Sequence, residues 1–397
     1  MGKRYKRANI FLLIILLSVT TDSIGQRQAS NNDLITVDVR KTYSQKKELI
    51  LQDFMDVEYI ALETTDEFLC QGIVLDIGKK IIVLKNRIND GNIFIYDRNG
   101  KALRKINNRG QGPQEYTNIS GLILDEDNGE LIVNDRLSLK LLVYDLFGKF
   151  KRSIKHQEGL MYDQNIYNYD KNNFICYNIL SKEKNIQKYL VISKHDGSLI
   201  HENKIQFIEK KHTFISQYDE AKKIANMLYM GTHYPIIPYE GKWILVEPSS
   251  DTIFQYIPDK NLIPFLIRTP SVQSMKPEEF LFLNLLTDRY YFMEIVKKTV
   301  SVQGNIADFP RKDLVFDKKE KAIFNYSVLN NDFSDKRYTS LKLKPINKEI
   351  AFSYIYEAYR LVDDYKNKKL KDGKLKEIAS KLDAEDNPVI MLVKHKK

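Results

Sequence analysis

The residue types that most often carry chemistry are present in this sequence, but they form none of the local motifs of known catalytic or metal sites. The six histidines are His156, His195, His201, His212, His233 and His395. None stands in an HExxH or HxH pattern or beside a cysteine cluster, so local spacing gives no support for zinc. A GxSxG elbow, a Walker loop and a dinucleotide fingerprint are also missing. We therefore predict no catalytic residue, no cofactor and no local metal site, while a metal held by several distant segments stays open.

Two segments superficially resemble ligand-binding loops. Residues 109–114 (RGQGPQ) are glycine-rich but lack the GK[ST] ending of a phosphate loop. Residues 125–130 (DEDNGE) lack the full spacing of an EF-hand calcium loop. Gly, Asp and Asn are also the residues that tight turns require, so we expect both segments to be turns.

Polar and aromatic residues at other turn positions offer binding chemistry rather than catalysis. Tyrosine presents a flat face and arginine presents directed donors, which suits the recognition of sugars or peptides. The candidate ligand-binding residues are Arg109, Gln111, Glu115, Tyr116, Asp135 with its neighbour Asn134, Arg136, His233, Tyr234, Glu247, Arg289 and Tyr290. The alternative is that the arginines pair with acidic residues and join neighbouring elements of the fold.

An internal repeat defines the elements that must position these residues. Residues 93–106 (IFIYDRNGKALRKI) align without a gap with residues 141–154 (LLVYDLFGKFKRSI), 48 residues further on. Looser copies occupy residues 190–203 and 252–267. Each copy has two alternating runs around a polar turn, which predicts a β-hairpin. A further predicted strand precedes each hairpin, at residues 79–84, 129–134, 172–178 and 241–247.

This repeat favours one fold class. A unit of about four strands every 45–60 residues is typical of a propeller blade. A two-sheet sandwich is the alternative, but it would not need near-identical hairpins at a fixed period. About six such units fit the chain, so we predict an all-β protein folded as a six-bladed β-propeller.

The C-terminal third is less regular. A short helix is predicted within residues 275–286, because Pro277 and two glutamates suit a first helical turn. Apolar spacing predicts a helical insertion over about 357–383, followed by a closing strand over about 388–394. Linkers rich in Gly, Pro or Ser are absent, so we predict a single domain over residues 26–397.

Five segments together carry a resemblance to a known family. They are VEYIALETT at 57–65, RGQGPQEY at 109–116, the YDxxGK turns, PSSDTIFQY at 248–256 and DNPVIMLVKHK at 386–396. In order and spacing they resemble the six-bladed β-propeller family of exported proteins found in Bacteroidota, over residues 34–397. This family has no established activity. One departure is Gln114, which stands where the family has the second glycine of Gly-Pro-Gly-Glu-Tyr.

The resemblance also implies that strands from both termini close the ring. The candidates are Leu34–Val39, Glu58–Leu62 and Val389–Val393. An open blade would leave a sheet edge available for aggregation, so we expect these strands to share the final blade.

The N-terminus predicts export. Four basic residues in positions 3–7 precede the apolar run Ile10–Leu17, and small polar residues follow to Gly25. This pattern is typical of a signal peptide over residues 1–25, cleaved before Gln26; an uncleaved anchor is the alternative. No cysteine follows the apolar run, so no lipobox is present. We expect a periplasmic or secreted protein with no transmembrane domain after cleavage.

Charge and cysteine content narrow the partners. The chain has 62 basic and 52 acidic residues, a formal charge of +10, which is modest for this length. Together with export this argues against nucleic acid as a partner. Cys70 and Cys176 could form a disulfide, but two separate buried thiols are the favoured interpretation. We expect a monomer.

Three functions follow from these observations. The favoured one is a binding or interaction module of the cell envelope, with a glycan, a peptide or an envelope protein as its partner. The alternative is a channel-centred hydrolase or lyase of the propeller type, with or without a metal. The third is a structural envelope component, which these residues do not separate from the first.

Overall fold

A computed structural model describes residues 34–396 apart from residues 181–182, 221–222, 259–260 and 304–305. The predicted signal peptide, residues 1–25, lies outside the described residues. Most described segments are strands, and they form the six blades of a β-propeller. The predicted all-β, six-bladed fold is thereby confirmed.

The secondary structure elements follow the chain in blade order. The N-terminal segment contains β1 (Ile35–Asp38), β2 (Lys46–Ile50), α1 (Leu51–Phe54) and β3 (Met55–Ala61). Blade one contains β4 (Ile73–Ile77), β5 (Ile81–Lys85), β6 (Ile93–Asp97) and β7 (Ala102–Ile106). Blade two contains β8 (Gly121–Asp125), β9 (Glu130–Asp135), β10 (Lys140–Asp145) and β11 (Phe150–Lys155). Blade three contains β12 (Tyr162–Asn168), β13 (Asn173–Asn178), β14 (Ile186–Ser193) and β15 (Leu199–Gln206).

The later blades carry insertions. A hairpin of β16 (Phe214–Asp219) and β17 (Ile224–Tyr229) precedes blade four, which contains β18 (Ile236–Tyr239), β19 (Lys242–Leu245), β20 (Thr252–Tyr256) and β21 (Ile263–Thr269). After the 3₁₀ turn Val272–Ser274, blade five contains β22 (Glu279–Leu286), β23 (Tyr290–Lys297), β26 (Arg311–Asp317) and β27 (Ala322–Leu329), with a small hairpin of β24 (Ser301–Gln303) and β25 (Ile306–Asp308) inside it. Blade six contains β28 (Ile350–Tyr356) and β29 (Val389–His395), with α2 (Ala358–Lys366) and α3 (Lys374–Ala379) between them.

Within each blade the first strand is innermost and its neighbours follow antiparallel. The inner strands of adjacent blades, such as β4 and β8, contact each other around the central channel. In blade six the extended segment 341–346 takes the innermost place, where the Ile346 N–H donates to the carbonyl of Ala351 (3.3 Å). The carboxyl ends of the inner strands therefore meet at one mouth of the channel and their amino ends at the other.

The repeated YDxxGK sequence builds both a turn and a contact between blades. In the first copy, Asp97 Oδ1 accepts hydrogen bonds from the N–H groups of Asn99 (2.8 Å) and Lys101 (2.9 Å). Gly100 has φ +86°, and a Cβ there would lie 1.9 Å from the carbonyl oxygen of Ala61. Only glycine fits such an approach. Gly148 and Gly197 make the equivalent contact with the outer strand of the preceding blade.

The N-terminal segment crosses three blades in succession. β1 pairs in parallel with β21 at the outer edge of blade four, and β2 pairs in parallel with β27 at the outer edge of blade five. β3 then pairs antiparallel with β29 as the outer strand of blade six. The prediction that Leu34–Val39 belongs to the closing blade is therefore wrong, because the chain passes blades four and five before it reaches blade six.

The helix predicted within residues 275–286 is also wrong, since β22 occupies Glu279–Leu286. The run from Phe280 to Leu286 is buried on both faces, and a short continuous apolar run does not distinguish a strand from a helix. Cys70 and Cys176 are buried free thiols in different clusters of the core. Within the described ranges, no helix has the length and hydrophobicity to cross a membrane.

Candidate functional site

An open cavity of about 670 Å³ occupies the channel mouth at the carboxyl ends of the inner strands. We call it the central cavity. Its wall is formed by the ends of β4, β8 and β12 with the loops that follow them, by Pro238 and Trp243 of blade four, and by residues 344–350 of blade six. Small-molecule sites typically have volumes of about 300–1,000 Å³, so this cavity has the size of a ligand site.

A hydrogen bond between opposite sides of the ring lies at the wall of this cavity. The hydroxyl of Tyr167, in blade three, donates to the carbonyl of Pro345, in blade six (3.2 Å). Both residues are buried. The bond joins two blades that are not neighbours, so it fixes the width of the channel beside the central cavity.

Asp76 and Lys344 are two charged residues of the cavity wall. Asp76 accepts the N–H groups of Ile77 and Leu124, both at 2.8 Å, and so ties blade one to blade two. Burial raises the pKa of Asp76 to about 6. Lys344 Nζ donates to the carbonyl of Leu75 (3.3 Å), and burial lowers its pKa while the charge of Asp76 opposes that shift.

Most carboxylates of the cavity wall are used by the protein itself. Asp125 forms a buried ion pair with Lys194 (2.8 Å). Glu126 accepts three successive backbone N–H groups, those of residues 79–81 (2.7–3.0 Å). Asp170 accepts backbone N–H groups of its own turn. Asp127 and Glu349, at the exposed rim, have no such partner in the described part of the chain.

The basic groups of the cavity wall are partly paired, since Arg98 and Lys394 pair with Glu58 and Lys194 pairs with Asp125. Among the described residues, no carboxylate lies within 4 Å of the ammonium groups of Lys79, Lys171 and Lys348. The Nζ atom of Lys348 instead lies 5.5 Å from the ring centroid of Trp243. The buried Nε1 of Trp243 has no acceptor, and the buried Oδ1 of Asn168 has no donor. Both atoms are themselves buried inside the wall, so the groups that the cavity offers to a ligand are the exposed ammonium groups of the three lysines.

Aromatic rings make this wall rigid. Trp243 stacks on Tyr169 (5.9 Å between ring centroids), which stacks on Tyr256 (6.1 Å). The hydroxyls of Tyr169 and Tyr256 are also 3.0 Å apart. Trp243 is almost fully buried, so its orientation, and with it that of the indole N–H, is fixed by packing.

The residues predicted from the sequence fall in three other places. The first group precedes or faces the amino end of β8, at the channel mouth opposite the central cavity. Tyr116 is buried, donates to the carbonyl of Gly91 (2.7 Å) and accepts the N–H of Asn108 (3.0 Å). Burial raises the pKa of Tyr116 to about 12. Glu115 accepts the N–H of Gly112 (2.8 Å).

Asp135 belongs to the same group. It is fully buried and accepts the backbone N–H of Thr117 (2.7 Å) and the hydroxyl of Ser138 (2.9 Å). The adjacent Asn134 donates to the carbonyl of Asp163 (2.9 Å). These two side chains hold the turn between blades, whereas Arg136 is half-buried.

Arg109 and Gln111 are the exposed members of this first group. Arg109 donates from its guanidinium to the carbonyl of Asn89. As ligand contacts, both residues remain a prediction.

The second group lies at the amino end of β18. Glu247 is buried and accepts Lys210 Nζ (2.8 Å) and the N–H of Ser249 (2.9 Å). His233 stacks on Phe282 (4.7 Å), and burial lowers its pKa while the charge of Glu247 opposes that shift. Burial also raises the pKa of the neighbouring Tyr234 to about 12. The fold thus brings His233 and Glu247 into one polar cluster.

The third group, Arg289 and Tyr290, lines a separate cavity of about 300 Å³. Arg289 forms two hydrogen bonds with Asp317 (3.2 and 2.9 Å), and Lys47 of β2 forms a third (2.6 Å). Burial would raise the pKa of Asp317, but these hydrogen bonds outweigh it and hold the pKa well below its usual range. Tyr290 packs against Phe54. Arg289 thus pairs with an acidic residue and joins neighbouring elements of the fold, which is the alternative to ligand binding given in the sequence analysis.

Sequence reasoning missed the residues of the central cavity, among them Asp76, Asn168, Trp243, Lys344 and Lys348. One signal was available: IVLD at 73–76 aligns with LILD at 122–125, and both lead into a cavity loop. For metal binding, no group of three or more His, Cys, Asp or Glu side chains in the described residues is arranged to hold an ion.

Comparison with known proteins gives similarity in fold but no activity. The crystal structure of a Bacteroides fragilis protein named as exported matches with a TM-score of 0.54 and 15% identity, covering 92% of this chain and 99% of that chain. A DUF4221 family member from Bacteroides vulgatus matches with a TM-score of 0.45 and 10% identity, covering 87% of this chain and 100% of that chain. At these identities the first match shows the fold alone.

The β-propeller domain of Cps50 (Swd1) from Myceliophteria thermophila matches with a TM-score of 0.32 and 8% identity, covering 70% of this chain and 94% of that chain. No curated protein shows significant sequence similarity to the chain. A family profile described as a domain of unknown function, DUF4934, matches residues 34–394.

Proposed function

Because the chain belongs to the DUF4934 family, whose function is unknown, we propose a function from the chain's own site. The protein is a binding module that takes a ligand in the central cavity. One observation carries this proposal. The central cavity, about 670 Å³ in volume, is lined by Lys79, Lys171 and Lys348, whose ammonium groups have no carboxylate partner among the described residues, while most carboxylates of the wall are satisfied. Such a wall is preorganised, and it offers hydrogen bonds that only a ligand or water would complete.

The same wall favours binding over catalysis. Both oxygens of Asp76 accept backbone N–H groups, and Glu126 and Asp125 are similarly occupied. Hydrogen bonds from backbone N–H groups favour the charged form of a carboxylate and would be weakened by protonation, and these carboxylates already hold the blades and loops in place. We therefore assign them to the framework of the site.

A channel-centred hydrolase or lyase is the second candidate. The observation that favours it is the Asp76–Lys344 pair, because burial shifts the two pKa values towards each other, upwards for the acid and downwards for the base. Its test is turnover. Cleavage of a bound oligosaccharide that disappears in both Asp76→Asn and Lys344→Met would establish this function, and unchanged ligand after prolonged incubation would exclude it for that ligand.

We also propose that the module works outside the cytoplasm, in the periplasm or as a secreted protein of the cell envelope. Two observations support this location: the signal-like N-terminus and the likeness to a protein named as exported. Immunoblotting of periplasmic, membrane and medium fractions from the source cells tests it, with a cytoplasmic enzyme as the marker of leakage.

The binding proposal is tested by locating the ligand as well as detecting it. Purified protein from Gln26 onward would be screened by thermal shift against glycans, peptides and divalent ions. A ligand at a hundredfold excess over its Kd adds about 2.7 kcal/mol to stability, which raises the Tm of a domain of this size by about 3 °C.

Hydrogen exchange then identifies the channel mouth that is used. We expect the ligand to slow exchange in segments 75–79, 166–171 and 344–349. Protection of 109–116, 133–138 and 231–235 instead would move the site to the opposite mouth, where the sequence placed most candidate residues. A ligand that protects neither set would refute both locations.

A further inference from the structure

The unused hydrogen-bonding groups of the central cavity fall into two unequal sets. The larger set consists of donors, the exposed ammonium groups of Lys79, Lys171 and Lys348. Lys344 adds a fourth ammonium group that makes a single hydrogen bond, to a carbonyl. An anionic oxygen is the strongest partner that a ligand can offer to an ammonium group.

The smaller set consists of acceptors. The carboxylates of Asp127 and Glu349 are unpaired at the exposed rim among the described residues. A ligand made only of anionic groups would make no hydrogen bond with these two acceptors and would be repelled by their charge. Hydroxyl groups satisfy both sets, because each donates one hydrogen bond and accepts others.

Size and shape select further. A folded protein partner buries at least about 1,000 Å² of a broad surface, whereas this wall is concave and encloses a small volume. The unpaired ammonium groups and rim carboxylates belong to blades one, two, three and six, so they surround the cavity. A rigid ring that carries a carboxylate and hydroxyls on adjacent carbons contacts several of these groups with little loss of conformational entropy, unlike an acidic peptide with flexible side chains.

We infer that the central cavity binds an acidic oligosaccharide, one whose sugar rings carry carboxylate groups beside free hydroxyls. This inference rests on the binding function proposed above and specifies its ligand class. The carboxylate of a uronic acid residue pairs with the ammonium groups of Lys348 and Lys344, and ring hydroxyls donate to Asp127 and Glu349. Formal charges along the wall nearly cancel, with seven basic and six acidic residues, so selectivity arises from the unpaired ammonium groups rather than from net charge.

The test compares ligands that differ only in charge. Isothermal titration calorimetry would use trimers of galacturonate, mannuronate and glucuronate, each beside its methyl ester, which keeps the hydroxyls and removes the negative charge. A sulfated disaccharide and triglutamate complete the set as other sources of anionic oxygen. We expect at least one uronate trimer to bind tenfold or more tightly than its ester at low salt, and this advantage to shrink as salt is raised.

Two variants connect that selectivity to the cavity. Lys348→Gln keeps a polar side chain without the charge and should weaken uronate binding about three- to tenfold while leaving the ester unchanged. Lys366→Gln removes the charge of an exposed lysine on α2 that does not line the cavity, and it should alter neither affinity.

Each contrary result has one meaning. Equal affinity for acid and ester, preference for the sulfated sugar or triglutamate, or no binding by any uronate overturns the acidic-oligosaccharide assignment. The binding function itself survives these results if another ligand protects segments 75–79, 166–171 and 344–349 from exchange. It fails if every ligand that binds protects other segments.

Discussion

Replacing Gly100 with alanine tests whether the repeated hairpin glycines hold neighbouring blades together. At φ +86° the backbone strain of an alanine destabilises the protein by about 1–2 kcal/mol. Alanine also reduces the entropy of the unfolded chain, which offsets about 0.4–1 kcal/mol of that loss. The new Cβ would also lie 1.9 Å from the carbonyl oxygen of Ala61, so β3 must shift. Overpacking of this kind costs about 1–3 kcal/mol, and we expect a total loss of about 3 kcal/mol.

Two matched variants separate the contact from the backbone strain. Gly129 also has positive φ (+64°), but a Cβ there would meet nothing within 4 Å, so Gly129→Ala should cost only about 1 kcal/mol. At Gly197 the obstacle is a side-chain methyl of Ile154 at 2.5 Å, which can move, so Gly197→Ala should fall between the two.

The assay is urea unfolding followed by far-ultraviolet circular dichroism, with the loss of free energy of unfolding read from the shift in midpoint at constant slope. The expected order of destabilisation is Gly100→Ala, then Gly197→Ala, then Gly129→Ala. If the three variants were equally stable, or if Gly129→Ala were the worst, the glycines would serve turn conformation alone and the inter-blade argument would be wrong.

Three further predictions concern closure, pH and the N-terminal segment. Deleting residues 388–397 removes five fully buried side chains of β29, about 10 kcal/mol of burial, and should abolish cooperative unfolding; a truncated protein that melts like the full chain would place closure elsewhere. Burial lowers the pKa of His156 from its usual 6.5 to about 4, so the unfolded state takes up the proton first and stability should fall by about 3 kcal/mol as pH drops from 6.5 to 4. Asp76, with its raised pKa, contributes the opposite slope over about pH 4–6. The measurement is therefore the difference in the free energy of unfolding between wild type and His156→Gln as pH is lowered, and a difference that does not change with pH would contradict the prediction. Asp317→Asn should cost about 2 kcal/mol in thermal unfolding, because it weakens the charged hydrogen bonds from Arg289 and Lys47; an unchanged Tm would show that these bonds contribute little.

The fold was predictable because the outer strands of the blades repeat. Asp97 and Gly100 recur as Asp145 and Gly148 since each blade must build the same turn against its neighbour. The inner strands are less alike, because each one contributes different residues to the channel. The continuous apolar run of β22 illustrates the limit: burial on both faces removed the alternation that would have marked it as a strand.

The candidate site was much less predictable. Tyr116 and Asp135 stand out in the sequence because turns between blades need particular residues, and the structure uses both to hold those turns. The central cavity instead joins residues about 270 positions apart, such as Asp76 and Lys344. Whether the indole N–H of Trp243 has an acceptor depends on all the residues that surround it in the folded protein, and no sequence pattern predicts those neighbours.

The path of the N-terminal segment across blades four, five and six imposes an order on folding. Residues 35–61 leave the ribosome before any blade, yet their partners β21, β27 and β29 are synthesised only after the first three blades. Until then β1, β2 and β3 are strands without sheets, and such unpaired edges invite association with other chains. About 27 residues of the nascent chain therefore stay unpaired, and must not associate with other chains, until β29 has been synthesised. If the chain is exported, as proposed above, this wait ends only when the C-terminus has been delivered to the same compartment.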